Sequence, residues 1–248
     1  ADALRLLADT RAVGAAGAAS GEAMPLARAV AGWGSGADAR ALCGGTLPAP
    51  SAAFFNAFSI HCLEWDAVHE PAVVHALSVV TAALLAASDR RGGSPPEHFL
   101  AALAVGVDIA SGIGCSAQGA MRFFLPSTAG IIGATLAVAR LEGLDRNSMA
   151  NAAGLAYSFL SGTMQAHVEA STALPLQIAN AARGAICAVD LASAGIDGPH
   201  DILNGPFGYD ALIEPLALDS YVASLGNRWR ISEVSIKPYP SGRASHGA

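Results

Sequence analysis

Lysine and the other charged residues are scarce in this sequence of 248 residues. Position 237 holds the one lysine among 14 basic residues, and all charged types together make up only 14% of the chain. The basic residues form no cluster or stripe, and the net charge is −6. Proteins that bind nucleic acid need clustered basic side chains to neutralise phosphates. The composition therefore argues against a nucleic-acid partner.

Cysteine motifs with metal-site or redox spacing are also missing. The four cysteines, at positions 43, 62, 115 and 187, form no CxxC or CxH pattern. Cysteines spaced in this way are typical of buried thiols in a reducing compartment. We therefore expect a cytoplasmic protein.

One uncharged run approaches the length of a membrane span. Residues 71–88 contain no Asp, Glu, Lys or Arg, and eighteen residues lie at the lower limit for crossing a bilayer. The run begins with Pro71 and contains His75, and charged residues flank it closely. We interpret it as a buried helix, so no membrane partner is expected.

The composition favours helices over a sheet. Alanine dominates, aromatic residues make up only 6%, and β-branched residues are scattered rather than alternating. We predict an all-α fold with one helical domain over residues 1–235. The helices are expected at residues 3–16, 25–32, 51–70, 72–90, 97–117, 128–141, 147–160 and 174–194.

A strand is expected near the end of the sequence. Residues 229–237 alternate between apolar and polar types, which predicts a strand. We assign residues 236–248 to the end of this strand and to the start of a connection toward a further domain.

Titratable side chains are concentrated in residues 61–75. Three histidines and three acids fall within these fifteen residues, namely His61, Glu64, Asp66, His69, Glu70 and His75. Burying such groups among apolar residues is costly, which points to a function. On a helix over 51–70, His61, Glu64 and Val68 would share one face, and Asp66 and His69 another. Pro71 would end this helix, and His75 would open the next.

Two kinds of chemistry fit this cluster. Histidines and carboxylates are metal ligands, but no HExxH or comparable spacing is present, so we predict no metal. General acid–base chemistry by Glu64, His69 and His75 fits better, because a histidine beside a carboxylate can titrate near neutral pH. A structural alternative is that Asp66 and His69 pair on a helix surface while His75 caps a helix.

The one lysine lies in a chemically suggestive segment. Lys237 stands beside two prolines, and a lysine can bind a carboxylate as a compact charge or act with a lowered pKa. Arg243 could hold a substrate carboxylate through two parallel hydrogen bonds, and His246 adds a titratable group. The alternative is that Lys237 is an ordinary surface residue.

Two further polar segments are candidates for substrate binding. Arg122 and Ser127 stand near a predicted helix start, where an anion can be held. His167 and Glu169 lie in a polar turn between buried helices, and loops on a rigid scaffold often carry sites. A capped, solvated loop is the alternative for the turn.

Several segments, in this order, resemble the MmgE/PrpD family, which comprises 2-methylcitrate dehydratases, cis-aconitate decarboxylases and iminodisuccinate epimerases. The resemblance runs along nearly all of the chain. The chain resembles the large helical domain of a family member, without the α/β lid. The matching stretches are 56–66 with His75, 122–130 with 133–134, 141–145, 180–183, 205–208 and 236–246.

The resemblance implies a metal-free and cofactor-free site between the helical domain and the lid. Family enzymes take a proton from a carbon next to a carboxylate of a di- or tricarboxylic acid. They then release water or CO2, or return the proton. By resemblance, His75 is the acid–base group, and Glu64 and Asp66 stand at the two acidic positions. Lys237 matches a family lysine, and His246 matches a family histidine.

Three positions depart from the family pattern. A family threonine is Val68 here, a family histidine is Phe124, and a family lysine is replaced by an apolar residue near Leu174. These changes remove a hydroxyl, an acid–base group and a carboxylate anchor. They put decarboxylation of cis-aconitate itself in doubt.

Three functional hypotheses follow from the sequence. The first is a dehydratase-type lyase, in which His75 is the acid–base group and Lys237 anchors a carboxylate or stabilises an enolate. In this hypothesis Glu64 and Asp66 orient His75 and Lys237. The candidates for binding the substrate are Arg122, Arg243, His246, His167 and Ser127. The second is an isomerase or epimerase of a dicarboxylate, and the third is a carboxylate-binding protein with a decayed site. A homodimer is expected in each case.

Overall fold

The computed structural model describes residues 1–247, and these residues form a mainly helical domain. This confirms the predicted all-α class. The helices are α1 (Asp2–Ala18), α2 (Ala23–Ala31), α3 (Ala49–His61), α4 (Ala76–Arg90), α5 (Pro96–Ser116), α6 (Leu125–Glu142), α7 (Arg146–Ser158), α8 (Gln165–Val168), α9 (Ala173–Ser193), α10 (Tyr209–Leu212) and α11 (Asp219–Ser224). Three short 3-10 helices cover Glu70–Ala72, Arg230–Glu233 and Arg243–Ser245. A small antiparallel pair joins β1 (Ala39–Arg40) to β2 (Thr46–Leu47).

The core is built from α3, α4, α5, α6 and α9, which pack against one another. Alanine and glycine allow their backbones to approach closely. A Cβ atom on Gly133 of α6 would lie 2.4 Å from the carbonyl oxygen of Gly106 in α5. Only glycine fits such a crossing, so the alanine- and glycine-rich composition sets the spacing of these helices.

Helix α5 is long and apolar enough to cross a membrane by length and composition. However, 67% of its most apolar stretch is buried inside the protein, where it packs on α4 and α6. A helix buried to this extent is typical of the core of a folded domain. The uncharged run 71–88, weighed as a span above, forms a loop followed by most of α4, which is also buried.

The predicted helix over 51–70 is wrong in its second half. Helix α3 ends at His61, well before Pro71, and Glu64 adopts a left-handed backbone with φ of 52°. Residues 62–75 form a folded loop, which we call the α3–α4 loop. The predicted helix faces shared by Glu64 and Val68, and by Asp66 and His69, therefore do not exist. The surface pair of Asp66 and His69 is excluded too, because both residues are buried and have other partners.

The strand predicted at 229–237 does not form either. Residues Arg230–Glu233 make a 3-10 helix, and Ser235 forms a single antiparallel bridge to Val68 of the α3–α4 loop. The buried residues of this segment are Arg230, Ile231, Val234 and Lys237, so burial does not follow the alternation of apolar and polar types in the sequence. The predicted division into residues 1–235 and 236–248 stays a prediction.

Candidate functional site

The α3–α4 loop is fixed by contacts from a segment that is distant in sequence. Val68 and Ser235 exchange two backbone hydrogen bonds of 3.0 and 2.9 Å. The indole Nε1 of Trp65 donates to the carbonyl oxygen of Lys237 at 3.1 Å. These bonds hold the loop and residues 235–237 together as one unit, which presents the titratable side chains.

Asp66 is the centre of a buried cluster. Its carboxylate is fully buried, and its Oδ2 lies 2.9 Å from Nδ1 of His61 and 3.1 Å from Nδ1 of His75. The hydroxyl of Ser78 donates to the same oxygen. The rings of His61 and His75 meet edge to face, with centroids 4.9 Å apart. One carboxylate thus orients two imidazoles, one at the end of α3 and one at the start of α4.

The charges in this cluster stabilise one another. Burial alone raises the pKa of Asp66, but the adjacent His61 and His75 outweigh it and hold this pKa well below its ordinary value. Burial alone lowers the pKa of His61, but the charge and hydrogen bond of Asp66, aided by Glu64, leave it above the ordinary value. Asp66 is therefore an anion, and it favours imidazoles that carry a proton on Nδ1.

Glu64 and Lys237 form a second layer of the site. The Nζ of Lys237 donates to the backbone carbonyl of Glu64 at 2.8 Å and lies 3.4 Å from its Oε2. The other carboxylate oxygen of Glu64 is 3.3 Å from Nε2 of His61. The ammonium side chain is fully buried, whereas 36% of the Glu64 side chain is exposed. The buried ammonium group of Lys237 therefore contacts Glu64 from the side of the protein interior and holds it in place.

A cavity of about 710 Å³ opens beside this cluster. Its polar lining comes from α3, the α3–α4 loop, the segment around α8 and the last 3-10 helix. The titratable residues on the lining are Glu22, His61, Cys62, Glu64, His75, His167 and Arg243. The cavity is large enough for a small organic acid.

Another part of the cavity lining is apolar. Its large side chains are Val68, Val73, Met121, Phe124, Met164 and Leu174. The Phe124 ring centroid lies 5.9 Å from that of His61, so this apolar wall begins next to the acid–base cluster. Val68, Phe124 and Leu174, at or near the three departures from the family pattern, all lie on this cavity.

Backbone strain is concentrated at the same cavity. Among the described residues, the non-glycine positions with positive φ are Glu64, Val73 and Ala170, at about 50° each. All three line the cavity. Left-handed conformations are unfavourable for such residues, above all for β-branched valine, and in proteins they cluster at functional sites. The strain is a second, independent indication that this cavity is the functional site.

The predicted site residues divide into three groups. Glu64, His75, His167 and Arg243 line the cavity, and Asp66 and Lys237 lie directly behind it. Arg243 also makes an exposed ion pair, in which its Nε donates to Glu70 at 2.9 Å.

The third group lies off the cavity lining. The Ser127 hydroxyl lies 3.0 Å from each of the backbone carbonyl oxygens of Ser161 and Gln177, which gives it a structural role in α6. Arg122 is exposed and is not on the lining. His246 packs on Tyr239, with ring centroids 5.6 Å apart, and contacts Arg243. The geometry brings none of the three to the lining.

Sequence reasoning missed the role of His61 and misjudged His69. His61 was expected only to share a helix face with Glu64, whereas it is the closest partner of Asp66. His69 was a candidate acid–base group, but it is not on the cavity lining and pairs with Glu233 at 3.1 Å. The dense cluster signalled a site, but the spacing did not distinguish its members because they lie on a loop.

The residue types at the cluster are also those of a metal site. Ligand atoms of His61, Asp66 and His75 all lie within 4.8 Å of one another. In this arrangement, however, Nδ1 of His61 is hydrogen-bonded to Oδ2 of Asp66, and Nδ1 of His75 lies 3.1 Å from the same oxygen. A cation would have to replace these contacts, so the geometry favours acid–base chemistry.

Similarity to known proteins runs along most of the chain. A sequence model of the MmgE/PrpD N-terminal domain matches residues 1–216. Human cis-aconitate decarboxylase is 30% identical over 210 residues, which are 81% of this chain and 43% of that protein. The mouse cis-aconitate decarboxylase is 27% identical over 214 residues, or 81% and 42%. The chain thus spans less than half the length of the curated relatives it matches.

Proposed function

We propose that this chain, which belongs to the MmgE/PrpD family, acts as a cofactor-free, dehydratase-type lyase on a small di- or tricarboxylic acid. The observation that carries the proposal is the Asp66–His75 pair, whose imidazole lies on a cavity of about 710 Å³. The two relatives are decarboxylases by name, and this supports a lyase without identifying the substrate.

The proposed first step is removal of a proton from the carbon next to a carboxylate. The anionic Asp66, whose Oδ2 lies 3.1 Å from Nδ1 of His75, favours the tautomer of His75 that keeps its proton on Nδ1, so that Nε2 of the same ring is the basic atom. The electron pair of the broken C–H bond forms a C=C bond, and a β-hydroxyl leaves as water. His61, whose pKa is raised, supplies the proton for this water through the neighbouring Glu64.

Two cations serve this reaction in different ways. Arg243 lies on the cavity lining and binds a substrate carboxylate. Lys237 acts through Glu64, because its ammonium group is buried against the Glu64 backbone and carboxylate. The direct carboxylate contact that the family resemblance implies for Lys237 requires the Glu64 side chain to move aside.

The test is turnover of the intact protein on a panel of hydroxy di- and tricarboxylic acids. We expect His75→Ala and Lys237→Ala each to lower kcat at least about a hundredfold, the usual effect of losing an acid–base group or its support. His98→Ala is the matched control, because His98 is exposed at the start of α5 and should retain full activity. Near-wild-type turnover in His75→Ala or Lys237→Ala would contradict the assignment.

An isomerase or epimerase is the second candidate, and one observation favours it. His167 lies on the same cavity as His75 but comes from the α8 segment, so two acid–base groups are available to one substrate. In D2O, α-proton exchange without loss of water or CO2 would identify epimerisation, whereas an alkene product would identify the lyase. Binding with neither exchange nor turnover across the panel would support the third hypothesis, a carboxylate-binding protein with a decayed site.

We propose in addition a cytoplasmic homodimer. All four cysteines are free thiols, which suits a reducing compartment, but they are not buried as expected: Cys43 and Cys115 are exposed, and Cys62 and Cys187 are half-buried. Large apolar side chains are exposed away from the cavity, with Phe207 at 76% and Val222 at 59% exposure. Light scattering of the intact protein measures the association state, and a monomer at micromolar concentration would contradict the dimer.

A further inference from the structure

The cavity holds few cations that are free to bind a substrate. Arg243 is its one guanidinium among the described lining residues, and part of it is already paired with Glu70. The nearby ammonium of Lys237 is engaged by Glu64. Glu22 and Glu64 add negative charge to the lining. The described lining thus offers a substrate carboxylate one guanidinium, beside the imidazoles of His61, His75 and His167.

The apolar wall, in contrast, begins close to the reacting groups. Met121, Phe124, Met164 and Leu174 line it, and Phe124 stands against the His61 ring. A substrate whose reacting carbon lies at His75 can therefore place an additional arm against these apolar side chains. Such a wall stabilises an alkyl group by removing it from water, and it leaves a further carboxylate unpaired.

We infer that the site takes a dicarboxylate bearing an alkyl arm, with one carboxylate at Arg243 and the arm on the wall formed by Met121, Phe124, Met164 and Leu174. This inference rests on the proposed function, because it assumes that the reacting carbon lies at His75. It narrows the substrate class from di- or tricarboxylic acids to alkyl-substituted dicarboxylic acids.

Binding of three matched acids to the intact protein tests the inference. The probes are succinate, 2-butylsuccinate and propane-1,2,3-tricarboxylate, measured by titration calorimetry at one pH and ionic strength. We expect 2-butylsuccinate to bind at least about tenfold more tightly than succinate. The tricarboxylate should bind no more tightly than succinate. A tenfold preference for the tricarboxylate, or no gain from the butyl arm, would overturn the inference.

Variants of the wall locate the effect. Phe124→His should remove most of the preference for the butyl arm, while Phe124→Leu should keep it. Leu174→Gln tests the same wall if Phe124→His does not fold. Phe207→His is the matched control, since Phe207 is exposed away from the cavity and should leave the preference unchanged. An unchanged preference in both Phe124→His and Leu174→Gln would place the butyl group elsewhere and overturn the inference.

Proton exchange separates this inference from the proposed function. α-Proton exchange of each probe in D2O is followed by NMR alongside the calorimetry. Exchange in the absence of a butyl preference overturns the alkyl-dicarboxylate inference and leaves the acid–base function standing. A butyl preference that depends on Phe124, with no exchange of any probe and no turnover across the hydroxy-acid panel, overturns the proposed function and supports the inferred ligand class.

Discussion

Two buried histidine–carboxylate groups lie within one short stretch of this protein, and they differ in what they face. The first joins Asp66 to His61 and His75, and it borders the cavity. The second joins His69 to Glu233 and is absent from the cavity lining. We call them the open group and the closed group. The residue types are the same, so their surroundings must account for the difference.

The closed group has both of its ring nitrogens in use. Nδ1 of His69 accepts a hydrogen bond from the backbone N–H of Ala72 at 3.2 Å, and Nε2 lies 3.1 Å from Glu233. Burial lowers the pKa of His69, and the contact with Glu233 offsets this only in part. His69 is therefore a neutral donor that ties the α3–α4 loop to the 3-10 helix Arg230–Glu233. In the open group, Asp66 occupies only one nitrogen of His75, and the ring lies on the cavity.

The largest expected effect comes from removing the charge of each carboxylate without changing its shape. Asp66→Asn should lower kcat about a thousandfold, because the amide can no longer fix the tautomer of His75 or stabilise the charged form of His61. Glu233→Gln should lower kcat less than about tenfold, because the closed group only supports the loop. Steady-state kinetics on the best substrate of the panel measures both.

The two variants control each other. Both remove one buried or half-buried carboxylate beside a histidine, so a general loss of folding would appear in both, and circular dichroism would detect it. Equal losses of kcat in two folded variants would show that the open and closed groups do not differ in function. A greater loss in Glu233→Gln would reverse the assignment.

Local patterns were enough to predict most helices, but not this loop. Alanine-rich segments with few charges, set between glycines and prolines, predicted α4, α5, α6 and α9 with ends within about four residues. The α3–α4 loop depends on contacts that no local pattern contains, such as the bridge between Val68 and Ser235 and the contact between Lys237 and Glu64. Positive φ at Glu64 also contradicts its local preference.

The candidate site was predictable to the extent that it rested on the family resemblance. Glu64, Asp66 and His75 were selected by matching segments, and the geometry brings them together. His61 and His69 could not be told apart by sequence, because the difference between them arises from Asp66 and from Glu233, and the latter lies 164 residues beyond His69. Periodicity gave the wrong faces because the segment is not helical.

The pH dependence of stability should differ in sign between the two groups. Because folding raises the pKa of His61, the stability that protonated His61 contributes to the folded protein is fully present below its ordinary pKa of about 6.5. This contribution is lost as the pH rises through the raised value. The lowered pKa of His69 means the reverse, namely that stability is lost as pH falls from about 6.5 toward the lowered value. The charge of Asp66 does not interfere, since its pKa lies well below this range.

His61→Gln and His69→Gln isolate these contributions. Thermal unfolding from pH 5 to pH 9 gives the Tm of each variant and of the wild-type protein. The difference between wild type and His61→Gln should shrink as pH rises above 7. The difference between wild type and His69→Gln should shrink as pH falls below about 6.5. Two differences with the same pH trend would mean that the open and closed groups do not differ in protonation.

The smallest effect is expected at Val73, which lies between the two groups on the α3–α4 loop. Its φ of 51° is unfavourable for a β-branched residue, whereas asparagine adopts this conformation more readily. Val73→Asn should raise stability by about 1 kcal/mol, or Tm by about 2–4 °C for a chain of this size. The matched control is Val168→Asn, at an exposed valine with helical backbone, where no gain is expected.

The backbone hydrogen bonds between His69 and Val74 hold the loop in either case, so kcat should stay within about threefold. A loss of kcat together with a gain in Tm would instead mean that the strain at Val73 is used by the open group to position His75.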